Sequence, residues 1–113
     1  MSSRQSTVDE LLDCLARAGR VTARKMFGEY CVYLDDKPVA LVCDDRLYVK
    51  PTAAGRELMP DAAEGPPYPG AKLHLVIPPE DWTNREALCQ MLRVTFLELP
   101  WPKPRKKKPN KKS

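Results

Sequence analysis

Two pairs of adjacent aspartates, Asp35-Asp36 and Asp44-Asp45, divide the middle of the sequence into short apolar runs. The runs are YCVYL at 30–34, PVALVC at 38–43 and RLYVK at 46–50. Aspartate tolerates the backbone conformations that tight turns between antiparallel strands require. Together with a weaker strand at 21–26, the runs therefore predict a four-stranded antiparallel meander.

The hydrophobic pattern separates interior strands from edge strands in this meander. The runs at 30–34 and 38–43 are apolar on both faces, which is typical of strands in the middle of a sheet. The run at 46–50 alternates, so Leu47 and Val49 are predicted to point inward and Tyr48 outward. We therefore expect 46–50 to be an edge or half-exposed strand.

Three segments favour helices. The first is 7–18, where apolar residues recur with helical spacing and Thr7 opens a capping-box pattern. A short second helix is predicted to begin after Thr52, a suitable N-cap residue. The third follows Thr83, which opens another capping-box pattern, and ends at about residue 99 before Pro100 and Pro102.

A last strand, KLHLVI at 72–77, follows a loop at 60–71 that contains four prolines and two glycines. The element order is then α-β-β-β-β-α-β-α. This order predicts an α+β fold, in which an antiparallel sheet (a meander plus one returning strand) is packed by helices. A chain of 113 residues forms one such domain, which we place at 1–99.

Basic residues are concentrated at the carboxyl end of the sequence. Of 19 basic and 15 acidic residues, seven basic and no acidic ones lie in 100–113, so residues 1–99 are net acidic by three. We expect 100–113 to be a disordered basic tail that contacts DNA or RNA phosphates without reading sequence. A purely solubilising tail is the alternative. The candidate nucleic-acid-binding residues are Lys103, Arg105, Lys106, Lys107, Lys108, Lys111 and Lys112.

A second basic cluster spans the end of the first helix and the first strand. It consists of Arg17, Arg20, Arg24 and Lys25, with no acidic residue between Asp13 and Glu29. These four residues are a candidate partner surface, and an ordinary solvated face is the alternative.

The sequence offers little for catalysis. All serines lie near the termini, there is one histidine, and neither a nucleotide-binding fingerprint nor a zinc-type cysteine spacing occurs. The four cysteines sit among apolar residues, which favours buried, reduced thiols. We expect no catalytic or metal site and no cofactor. The alternative is a small cytosolic thiol-dependent enzyme or redox protein that uses Cys31 or Cys43 near His74.

The sequence also predicts a cytoplasmic protein. No run approaches the roughly 20 apolar residues of a membrane helix, and the polar first residues do not form a secretory signal. Oligomeric state is left open, and a structural oligomerisation module is a third reading of the chain.

The string ARKMFGEYCVYLDD at 23–36 contains more than packing requires. Together with LVCDD at 41–45, LYVKPT at 47–52 and PYPGA at 67–71, it resembles the N-terminal domain of the TfoX/Sxy family of bacterial competence regulators. The similarity extends over about 8–99. Longer members add a C-terminal helical domain, whereas this sequence continues into the basic tail.

The resemblance implies a non-enzymatic regulator or adaptor associated with transcription. Competence regulators of the family are thought to act as coactivators with the cyclic-AMP receptor protein, so a regulator of that kind is the expected protein partner. No catalytic or ligand residues are carried over. The stretch RKMFGEY at 24–30 then looks like the first strand and turn of the family fold. From the residues alone, Met26 and Phe27 are expected in the core.

Overall fold

The computed structural model describes residues 3–26 and 29–101, which form three helices and six strands. In chain order these are α1 (Gln5–Cys14), β1 (Val21–Met26), β2 (Glu29–Leu34), β3 (Lys37–Cys43), β4 (Arg46–Val49), α2 (Ala53–Leu58), β5 (Ala63–Gly65), β6 (His74–Ile77) and α3 (Arg85–Glu98), with a 3₁₀ turn at Pro79–Asp81. The α+β class and the predicted order of helices and main strands are confirmed. Phe27 and residues 102–113 of the predicted tail, which include all seven of its basic residues, lie outside the described residues.

All six strands form one antiparallel sheet with the order β1-β2-β3-β4-β6-β5. The meander is confirmed, but the prediction that 46–50 is an edge strand is wrong. β6 pairs with the free side of β4, with Tyr48 opposite Val76, so β4 is interior. Tyr48 is correspondingly 8% exposed. The added strand β5 lies inside the predicted loop, where three residues were too few for a sequence signal.

The two aspartate pairs form the predicted turns. Asp35, Asp36, Asp44 and Asp45 all have positive φ, between 47° and 71°. Two consecutive left-handed residues match the twist of the flanking strands, which is why such turns connect hairpins. Local sequence therefore determines these two hairpin connections.

The three helices cover one face of the sheet and enclose the hydrophobic core. Val8 and Leu11 of α1 and Leu88 and Leu92 of α3 are at most 1% exposed. Trp82, after the 3₁₀ turn, is also buried and donates from Nε1 to the Ile77 carbonyl at 3.0 Å. Apolar residues of α1 and α3 thus pack in the core.

Two predicted helix starts are displaced, that of α1 by a tertiary contact and that of α3 by a neighbouring N-cap residue. Thr7 lies inside the first turn, since α1 begins after Arg4, whose N–H donates to the Asp45 carboxylate at 2.8 Å. α3 begins after Asn84 rather than Thr83, with the Asn84 side chain accepting from the Ala87 N–H at 3.2 Å. Thr52 caps α2 as predicted.

Three further differences concern boundaries and exposure. The first helix ends at Cys14, four residues before the predicted end, and turns follow it to Ala18. Met26 is 42% exposed, because β1 is an edge strand and Met26 points away from the helices. Leu73, which lies within the strand predicted at 72–77, precedes β6 and is 53% exposed.

Candidate functional site

The sheet face opposite the helices carries an apolar groove. Leu41 of β3 lies opposite Tyr48 of β4, and the loop 66–69 passes beside them. The groove has a volume of about 1010 Å³. Its lining includes Met26, Leu41, Cys43, Tyr48, Pro67 and Tyr68. Because the proline-rich loop partly covers this face, it is neither a second core nor an ordinary solvated surface.

The acidic residues of the groove lie at one end. Glu29 and Asp44 both line it, and Glu29 accepts a hydrogen bond from the Ser3 hydroxyl at 2.7 Å. Ser3 in turn accepts from the Asp45 N–H at 3.0 Å. The residues before α1 are thereby attached to this end of the sheet.

The four thiols are free and buried, as predicted. Burial is the main cause of the pKa shifts of three of them. It raises the pKa of Cys14 and Cys31 above the usual value and raises the pKa of Cys43 to about 11. Since the thiolate is the nucleophile, a raised pKa makes these thiols less reactive than a free cysteine.

His74 is remote from both candidate thiols. Its strand, β6, is separated from β3 by β4 and from β2 by two strands, so Cys31 lies on the order of 14 Å away. Burial lowers the pKa of His74, and its Nδ1 is 2.9 Å from the Lys72 carbonyl, a hydrogen bond that this nitrogen donates. The structure therefore does not bring together the pair that a thiol enzyme would need. Within 3–26 and 29–101, no three metal-ligating side chains are grouped either.

The four residues of the predicted basic cluster do not share one surface. Arg24 and Lys25 are consecutive in β1, so they point to opposite faces of the sheet. The Arg24 guanidinium lies 5.8 Å from the centre of the Tyr33 ring. Arg20, just before β1, forms an ion pair with Asp36 of the β2–β3 turn. The Arg17 carbonyl accepts a hydrogen bond from the Arg93 side chain. Only Arg24 and Lys25 therefore lie together, in the edge strand β1.

Lys37 is a structural residue that sequence reasoning missed. It is only 5% exposed, and its Nζ donates to the carbonyls of Phe96 and Leu99, both at 2.7 Å. The Phe96 and Trp101 rings lie 4.2 and 4.8 Å from the same nitrogen. No local signal marks Lys37, because these partners are about sixty residues away in the sequence.

Comparison with known proteins identifies the fold family. A profile described as the TfoX N-terminal domain matches residues 13–98. The chain belongs to the TfoX N-terminal domain family. The chain is similar to an uncharacterised 12.7 kDa protein of the trpE 5′ region in Spirochaeta aurantia, with 48% identity over 90 residues. That alignment covers 79% of this chain and 76% of the relative.

Membership of the TfoX N-terminal domain family confirms the resemblance inferred from the string 23–36. In the structure, the described residues of this segment form the last four residues of β1, all of β2 and the β2–β3 turn. None of the helices in the described part of the chain is long and apolar enough to cross a membrane.

Proposed function

We propose that the chain is a cytoplasmic, non-enzymatic adaptor in transcription regulation. Its folded body would bind a protein partner, and the basic residues of 100–113 would contact DNA phosphates. The observation that carries the proposal is membership of the TfoX N-terminal domain family over residues 13–98. By the resemblance to competence coactivators, the partner would be a regulator of the cyclic-AMP receptor protein type.

The chemistry of the described side chains supports binding over catalysis. Burial raises the pKa of Cys31 and raises the pKa of Cys43 to about 11. His74 lies in β6, which is not adjacent to the strand of either thiol. The open sheet face instead offers apolar and aromatic surface with few charges, which is the composition of a binding surface.

The charge distribution supports a DNA contact through the tail. Residues 1–99 are net acidic and would repel phosphates, whereas 100–113 carry seven basic and no acidic residues. If all seven bases contact duplex DNA, log affinity should fall against log salt with a slope of about −6. Such contacts add affinity without sequence preference.

The test uses purified cyclic-AMP receptor protein on fluorescently labelled promoter DNA, with anisotropy measured as the chain is added. The comparison variant has glutamine at all seven tail bases, and a second variant ends at Trp101, because Trp101 packs on Phe96. We expect the full chain to add to the receptor–DNA complex, and the neutralised tail to weaken that addition and lower the salt slope. No addition at any salt concentration would refute the adaptor proposal.

A further inference from the structure

We propose that β1 accepts an extended acidic segment of a partner protein, which adds to the sheet as a seventh strand. The assignment rests on the proposed function, in which the folded body binds a protein, and it names the site and the chemistry of that partner. The edge position of β1, its backbone geometry and its charge carry the argument.

β1 is a sheet edge long enough to pair with an added strand. It spans six residues and, within 3–26 and 29–101, pairs only with β2. Its last three residues, Arg24, Lys25 and Met26, are all exposed. The opposite edge, β5, has three residues and is followed by Pro66, so it is a poor template for pairing.

Alternate backbone groups of β1 point away from the sheet. The Asp35 N–H donates to the Arg20 carbonyl at 2.9 Å, one position beyond the pair Val21–Leu34. In antiparallel pairs, hydrogen-bonded and non-hydrogen-bonded positions alternate. The N–H and C=O groups of Val21, Ala23 and Lys25 therefore point away from β2, and no described residue is bonded to them. Unpaired groups of this kind bind added strands.

The exposed end of β1 is positively charged. Arg24 and Lys25 form no ion pair with any residue in 3–26 or 29–101, and Arg24 is positioned over the Tyr33 ring. Residues directly opposite in an antiparallel pair share a face, and opposite charges there are favourable. Because Arg24 and Lys25 point to different faces, two consecutive acidic residues in the added strand would contact both.

A second copy of the chain is a poorer occupant of this edge. Two β1 strands paired about a two-fold axis would bring two arginines and two lysines into one short ribbon, where like charges are destabilising. An acidic segment neutralises the same residues. Its apolar side chains on one face would lie beside Met26 and the groove.

The experiment measures anisotropy of a labelled eight-residue peptide of alternating valine and threonine with Asp-Glu at its centre. Its counterpart carries Lys-Lys at the same positions. We expect the acidic peptide to bind the full chain, and the double variant Arg24→Glu/Lys25→Glu to lose at least about tenfold in affinity. The matched control, Arg46→Glu/Lys72→Glu, changes the same charge in β4 and just before β6, away from β1, and should bind as the wild type does.

Two methylated peptides test the backbone pairing. In the antiparallel arrangement the first acid lies opposite Lys25, so its N–H enters the new hydrogen bonds, whereas the N–H of the second acid points outward. N-methylation of the first acid should abolish binding, and N-methylation of the second should preserve it. Ala23→Pro removes an outward donor of β1 and should also abolish binding, and circular dichroism verifies its fold.

The remaining outcomes distinguish failure of the edge site from failure of the adaptor function. Failure of the acidic peptide to bind, or equal binding of the basic peptide, would mean that Arg24 and Lys25 only protect the edge. Sedimentation that shows a dimer lost in Ala23→Pro would assign the edge to a second copy. If the charge-reversed variant still joins the receptor–DNA complex, the edge site is refuted and the adaptor function stands. Peptide binding without any receptor interaction would refute the adaptor function alone.

Discussion

Lys37 contacts Phe96 twice, since its Nζ donates to the Phe96 carbonyl at 2.7 Å and lies 4.2 Å from the centre of the same residue's ring. The Leu99 carbonyl accepts a second bond from this nitrogen. A lysine at the start of β3 thus caps the carboxyl end of α3, where the helix dipole favours positive charge. This contact fixes the end of the last helix against the sheet.

Replacing Lys37 by methionine should be strongly destabilising. The substitution keeps the length of the side chain but leaves two helix-end carbonyls without their charged donor. We expect the free energy of unfolding to fall by about 2–4 kcal/mol, measured by urea denaturation. Lys25→Met, at an exposed position, is the control and should change it by less than about 0.5 kcal/mol. Similar small losses in both variants would contradict a capping role.

Gly55→Ala should destabilise the protein although alanine favours helices. A Cβ at this buried position of α2 would lie 2.8 Å from the Thr52 hydroxyl and 3.3 Å from both Leu75 and Met91. Overpacking of this kind costs about 1–3 kcal/mol, more than the helix propensity returns. In Gly65→Ala the nearest atom would be at 3.6 Å, so thermal denaturation of this control should show little change.

Acidification should destabilise the fold through His74. Burial lowers the pKa of His74, so between its folded and unfolded pKa values the unfolded chain binds more protons than the folded one. The stabilisation is therefore complete above the unfolded pKa of about 6.5 and is lost as pH falls through the folded value. Urea midpoints at pH 8 and pH 5 should differ less in His74→Gln than in the wild type. An equal difference would assign the pH dependence to other groups.

The native thiols should resist alkylation. Cys14, Cys31, Cys43 and Cys89 are all buried, and burial raises the pKa of the first three. At pH 8, iodoacetamide should modify none of the four within the time in which it modifies glutathione, and all four in urea. Mass spectrometry of tryptic peptides identifies each site. Rapid native modification of Cys31 or Cys43 would instead restore the thiol-enzyme alternative.

Local sequence determined the elements and the turns that connect them. Alternation and apolar runs specify β1 to β4, helical spacing specifies α1 and α3, and aspartates that accept positive φ make the two hairpin turns. These features depend on neighbours within a few residues, so they can be read without knowledge of the fold. The TfoX-like string 23–36 was equally local, and it identified the family.

Tertiary structure decided what depends on residues far apart in the chain. β4 became interior because β6 returns beside it, and Tyr48 is buried where alternation predicted exposure. The capping of α3 by Lys37 likewise arises only when β3 packs against the end of α3. Pairing choices of this kind follow from burial of the whole core, which no local pattern contains. The start of α1 moved for the same reason, since the Asp45 carboxylate in the β3–β4 turn accepts a hydrogen bond from the Arg4 N–H.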